Sequence, residues 1–126
     1  MIECDEMADS RNKGKNYENY IVRMFREAGW TDAKRHLEFQ SEEAVEGRDL
    51  DNTEPFAVQI KCWKKAPPIT AIMEVVPDND YAHPLAVLKR TRSAGVSTLE
   101  VAVIDLNVFM KMLFLLRENG LFELLG

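Results

Sequence analysis

The sequence predicts a single α/β domain, a small mixed β-sheet flanked by helices. Three observations carry that expectation. Apolar residues recur at helical spacing in two stretches that bracket the chain, around residues 13–29 and 106–120. Between them lie apolar runs of strand length, Phe56–Trp63, "HPLAVLKRTR" and "STLEVAVIDL". The 126 residues, 46% hydrophobic and 29% charged, suffice for one domain with a real core and are too few for two.

Taken in order, residues 1–11, "MIECDEMADSR", form an acidic tail that is expected to be flexible, and 12–126 form the domain. The tail lacks the apolar core of a secretory signal. Ser10 or Asn12 caps a first helix beginning near Lys13, in which Tyr17, Ile21, Met24, Phe25 and Ala28 make one apolar stripe. Gly29 is placed to end it in a left-handed conformation. An extended connection follows, with a short strand near Ala33–Phe39, and then the polar loop "QSEEAVEG".

Next comes a hairpin: strand Arg48–Asp51, turn "NTEP", strand Phe56–Trp63. Pro67 and Pro68 stop the second strand, since proline cannot donate to a ladder. "ITAIMEVV" reads as a short helix, followed by the two further strands with "SAG" in the turn between them. The last helix, "LNVFMKMLFLLRENG", is capped by Asp105 or Asn107 and ended by Gly120, with Phe109, Met112, Leu113 and Leu116 on one face. "LFELLG" is a short apolar end.

No stretch approaches the roughly 18 apolar residues of a membrane span. The only cysteines are Cys4 and Cys62, with no CxxC motif or Cys/His cluster, so reduced thiols, no structural zinc and a cytoplasmic setting are expected, the host cell's if the chain is phage-encoded. The net charge of −5 is unevenly spread. Positive charge gathers in the first helix region, after Trp63 and around "LKRTR", and negative charge in the tail and in "LEFQSEEAVEGRDLD". A basic binding face around an acidic pocket fits that pattern, as does an ordinary mixed surface.

The strand Phe56–Trp63 carries two polar residues in its middle. Side chains alternate along a strand, so Phe56, Val58, Ile60 and Cys62 share the core face, while Gln59 and Lys61 project together from the other with Ala57 and Trp63. The hairpin brings Asp49 alongside them. A carboxylate, an amide oxygen and an ammonium on one patch suit metal-assisted phosphodiester hydrolysis. A hard cation such as Mg²⁺, for which Mn²⁺ substitutes, takes oxygen ligands from Asp49, Gln59 and the backbone carbonyl of Ile60. Lys61 would orient or activate the attacking water, or stabilise charge developing on phosphate. Asp51 shares parity with Asp49, so alternation does not separate the two as metal ligand.

Here "GRDLD…VQIK" resembles the active-site signature of the PD-(D/E)xK nuclease superfamily, in the form where glutamine replaces the second acid, as in Mrr-type restriction endonucleases and phage-encoded nucleases. "NKGKNYENYIVRMFREAGW" resembles the opening of archaeal-type Holliday junction resolvases, where a K-G-x-x-x-E helix supplies a glutamate to the metal site. Lys13, Gly14 and Glu18 fall at those positions. The resemblance spans about residues 12–117 and implies a restriction-endonuclease-like fold and a Mg²⁺-dependent DNA endonuclease acting on branched DNA. It adds Glu18 to the metal ligands and implies a homodimer, since symmetric cutting of two strands needs two sites. Gln59 departs from the resolvases' acid, and Arg48 from the proline of the motif name.

For phosphate contacts the candidates are Lys13, Lys15, Arg35, Lys64, Lys65 and Lys89, with Arg90 and Arg92 beside them. Taken singly, each is as well read as solvated surface charge, just as a lone strand lysine is most often the solvated face of its strand. His36 and His83 read as structural or surface, and Trp63 as core packing. Other readings are a different nuclease of the superfamily, end-processing or restriction-type, and a non-catalytic nucleic-acid-binding module of the same fold.

Overall fold

The computed structural model describes residues 10–36, 48–63, 69–74, 80–90 and 98–126, with side chains in the first helix from Lys15 onward. The elements follow the expected order: α1 (Ser10–Ala28), β1 (Lys34–Arg35), β2 (Leu50–Asp51), β3 (Phe56–Trp63), α2 (Ile69–Met73), β4 (His83–Arg90), β5 (Leu99–Ile104), α3 (Leu106–Glu118) and a 3₁₀ turn (Phe122–Leu125). Residues 1–9 of the expected tail and the "QSEEAVEG" loop lie outside the described residues, whereas Ser10 and Arg11, expected in the tail, are the first residues of α1.

The α1 stripe works as periodicity requires: Tyr17, Ile21 and Val22 are buried and Phe25 is half-buried, but Met24 and Ala28 are exposed, a little off the packed arc. Gly29, at φ +125°, ends the helix. Trp30 N donates to Phe25 O at 2.9 Å and Gly29 N to Arg26 O at 3.2 Å, closing the last turn. From there the aromatic rings of Phe25, Trp30 and Phe56 meet edge to face, with centroids 5.5 and 6.0 Å apart, tying the helix end to the start of β3.

β3 and β4 pair in parallel along all eight residues, Phe56 with His83 through Trp63 with Arg90, and β5 adds antiparallel to β4. The parallel pair is covered on both faces, as such pairs require. Val58 and Ile60 pack with Leu50 under Tyr17, Ile21 and Val22 of α1. On the far face Ala86 and Leu88 pack under Ile72 of α2, with Trp63, Met73 and Val103 around them. The β3 core face is therefore Phe56, Val58 and Ile60 but not Cys62, which is exposed. Cys62 is exposed at the end of the strand, and Cys4 lies outside the described residues, so the expectation of reduced thiols rests on the sequence.

The expected hairpin is looser than a ladder. β2 pairs with β1 in a two-residue antiparallel ribbon, Lys34 with Asp51 and Arg35 with Leu50, and meets β3 through Asp49 N donating to Val58 O at 2.7 Å. Asn52, at φ +63°, and Thr53, whose hydroxyl donates to Phe56 O at 2.9 Å, make the turn. The ladder stops because the next donor, Ile60 N, bonds a side-chain oxygen instead of a backbone carbonyl.

α3 starts where expected: the Asp105 carboxylate accepts from Val108 N at 3.1 Å. Its expected packed face is only half realised. Leu113 and Leu116 are half-covered, whereas Phe109 and Met112 are 42% and 39% exposed, and no residue of the helix is buried. No helix among the described residues is long and apolar enough to cross a membrane.

Candidate active site

Asp49 sits at the free edge of β3. Its N–H donates to Val58 O at 2.7 Å, and its Oδ2 accepts the Ile60 N–H at 2.8 Å. One aspartate thus replaces a peptide group in the ladder, and its carboxylate is fixed from both ends. Within a strand a residue's N–H and C=O point to the same side, so the Ile60 carbonyl faces this edge too. Gln59 and Lys61 project from the other face than Val58 and Ile60; Gln59 is half-buried and Lys61 exposed.

Glu18 enters from α1, one residue after the buried Tyr17. It is half-covered and accepts from Arg35 Nε at 3.2 Å. Burial is the main cause that pushes its carboxyl above the ordinary glutamate range, and the Arg35 hydrogen bond pulls it back. The charge of Asp49 raises it further and that of Lys61 lowers it. Glu18 is therefore close enough to sense the charges of Asp49, Lys61 and Arg35. Two carboxylates raise each other's cost of ionisation, and a cation between them relieves it.

Asp51, equal to Asp49 by strand parity, is used elsewhere. His36 Nδ1 lies 3.0 and 3.1 Å from its two oxygens, and Arg48 Nε donates to Oδ1 at 3.0 Å. The Arg48 guanidinium also lies 3.8 Å over the Tyr81 ring, and the Tyr81 hydroxyl accepts from Asn52 N at 3.0 Å. Asp51 is thus the hub of a structural network around the turn. His36, read from the sequence as structural or surface, is a mostly buried member of it, its side chain 8% exposed. The Arg48–Asp51 spacing was the available signal for that network, and nothing in sequence linked it to His36.

The phosphate-contact candidates divide. Lys15 is exposed on α1. Arg35 is engaged with Glu18, a role the sequence reading missed. The side chain of Lys13, and Lys64, Lys65 and Arg92 altogether, lie outside the described residues. Lys89 is a correction: it is fully buried, with Nζ 5.3 Å from the centre of the Tyr17 ring and no hydrogen-bond partner. It points into the α1 face of the sheet, where the Tyr17 hydroxyl donates to Glu100 Oε1 at 3.0 Å, and is out of reach of DNA. Burial and that bond hold the Tyr17 phenol well above its usual range.

Among the described residues no group of three or more His, Cys, Asp or Glu side chains converges. The donors on offer are two carboxylates, from Asp49 and Glu18, with the Gln59 amide and the Ile60 carbonyl on the same strand. That all-oxygen set suits Mg²⁺, which binds through one or two carboxylates and keeps several waters. No protein-family model, curated protein or solved structure matches this chain.

Proposed function

We propose that this chain is a Mg²⁺-dependent DNA endonuclease of the restriction-endonuclease-like kind, acting on branched DNA as a Holliday junction resolvase. The observation that carries the reading is Asp49, locked to the edge of β3 by the Ile60 N–H at 2.8 Å while Glu18 senses both its charge and that of Lys61. Glu18, Asp49, Gln59 and the Ile60 carbonyl would hold the cation, with Mn²⁺ as a substitute. Bound there, it would polarise the scissile phosphate and acidify a water.

The chain's own residues supply the rest. Asp49 and Glu18 bring negative charge that Arg35 and Lys61 offset in part and a cation at this edge would offset further. Lys61, exposed beside them, orients the attacking water and offsets charge growing on the phosphate oxygens. Water attacks phosphorus, the P–O bond to the leaving sugar oxygen breaks, and that oxygen takes up a proton.

One observation favours a second reading, a nucleic-acid-binding module without catalysis. The site holds a neutral Gln59 where the resolvases have an acid, so fewer charges offset a divalent cation. The deciding experiment is incubation of labelled four-way junction, duplex, flap and single-stranded DNA with Mg²⁺ or Mn²⁺, beside Lys61→Ala. Paired symmetric cuts across the junction, lost in Lys61→Ala, are expected. Processive loss of nucleotides from ends would point to another nuclease of the superfamily. Junction binding without cleavage in either metal would leave the binding module.

A further inference from the structure

The C-terminal part of the chain is built to be covered by something else. β5 is the outer strand of its sheet, with Leu99 and Val101 each more than a third exposed. α3 has nine apolar residues among thirteen, and none of them is buried. Leu106, Phe114, Leu115 and Met110 are 70, 61, 58 and 53% exposed. In the closing 3₁₀ turn Leu124 and Leu125 reach 80 and 73%. Among the described residues, twelve of the fourteen exposed large hydrophobic ones lie between Leu99 and Leu125, so the patch is continuous in the chain and not scattered.

We propose that this patch is where two copies of the chain meet, through antiparallel packing of their α3 helices. Size is the first argument. The fractional exposures, taken with ordinary apolar side-chain areas, give about 1,000 Å² on α3 and the turn, beyond the largest patch of an ordinary monomer and close to the share each partner contributes to a standard interface. Charge is the second. With Met110 of each copy against Phe114 of the other, Arg117 in the last turn reaches the first turn of the opposing helix, beside its Asp105. The same contact recurs at the other end, as a two-fold interface demands. β5 is the third. It runs beside the patch as the outer strand of its three-stranded sheet and continues the exposed apolar surface through Leu99 and Val101.

The inference rests on packing alone and stands or falls apart from the nuclease reading. Its test needs neither DNA nor metal: sedimentation velocity of the full chain at micromolar concentration, with far-UV circular dichroism as the folding control. The expected species has twice the 14.5 kDa chain mass. Phe114→Glu, at an exposed position, leaves the dichroism unchanged and raises the dimer dissociation constant about thirtyfold or more, while Phe114→Leu restores the dimer. Met110→Lys serves as the second, independent disruption. A wild-type chain sedimenting at monomer mass overturns the proposal and assigns the patch to another occupant. A Phe114→Glu, Met110→Lys double variant that still sediments as a dimer overturns it equally, by placing the interface elsewhere.

Discussion

Asp49 holds two jobs, and two substitutions separate them. As a structural group it gives Oδ2 to the Ile60 N–H at 2.8 Å, a charge-assisted bond at a residue that is only 7% exposed. Such a bond is worth about 1.5–3 kcal/mol net, and a buried donor left bare costs about 1–3 kcal/mol. Asp49→Ala removes the acceptor outright, so a loss of about 2–3 kcal/mol is expected. Asp49→Asn keeps an amide oxygen for the same N–H and loses only the charge assistance, about 1 kcal/mol. For a domain of this size that is about 3–4 °C in Tm for the asparagine variant and about 6–12 °C for the alanine variant.

Cleavage should not follow that ranking. The amide of Asp49→Asn cannot offset a divalent charge, so both variants are expected to lose about 10²-fold or more in Mg²⁺-dependent cleavage, measured well below their melting temperatures. The assay pairs thermal denaturation by circular dichroism with single-turnover cleavage of a labelled junction. Equal melting temperatures for the two variants would refute the seating of Asp49 on Ile60. An active Asp49→Asn would refute its place in a cation site while leaving the seating intact.

Three further outcomes follow from the same contacts. The Glu18 carboxyl is raised by burial, so the folded chain holds that proton more tightly than the unfolded one; its contribution to stability is complete below the ordinary glutamate range and is lost as pH climbs through the raised value. Glu18→Gln should therefore melt higher than wild type at neutral pH without metal and lose that advantage near pH 4, as thermal melts across that range will show. Asp51→Ala removes the carboxylate that His36 and Arg48 share and should cost about 3 kcal/mol in denaturant unfolding, yet retain cleavage at low temperature, because Asp51 belongs to the turn and not to the site. Lys89→Met replaces a buried ammonium without a hydrogen bond by an isosteric apolar chain; a gain of about 1 kcal/mol and unchanged junction affinity are expected by chemical denaturation and titration.

Local signals carried the element order. A 3.6-residue stripe from Tyr17 to Phe25, an eight-residue apolar strand at Phe56 and an aspartate cap before α3 depend on near neighbours only, and the structure places all three where the sequence put them. Contacts that cross the chain were not legible. Asp49 and Asp51 have the same strand parity, and what separates them is supplied from elsewhere: Ile60 N for one, His36 and Arg48 for the other. Lys89 reads as a basic surface residue in "LKR", but its neighbours in space are Tyr17, 72 positions earlier, and its register partner Glu100 on β5.

α3 makes the same point from the other side. A helix apolar around nearly its whole circumference presents several possible faces, so periodicity selects none. Phe109, Met112, Leu113 and Leu116 do lie together, yet the first two are left exposed by a sheet that ends at β5. A sequence records that such a helix must be covered and is silent on whether the cover is its own sheet or another chain. That choice depends on how far β5 extends and where Asp105 starts the helix, which are properties of the folded chain. The same exposed side chains that defeated the face assignment are the ones that make antiparallel self-association the economical way to remove them from water.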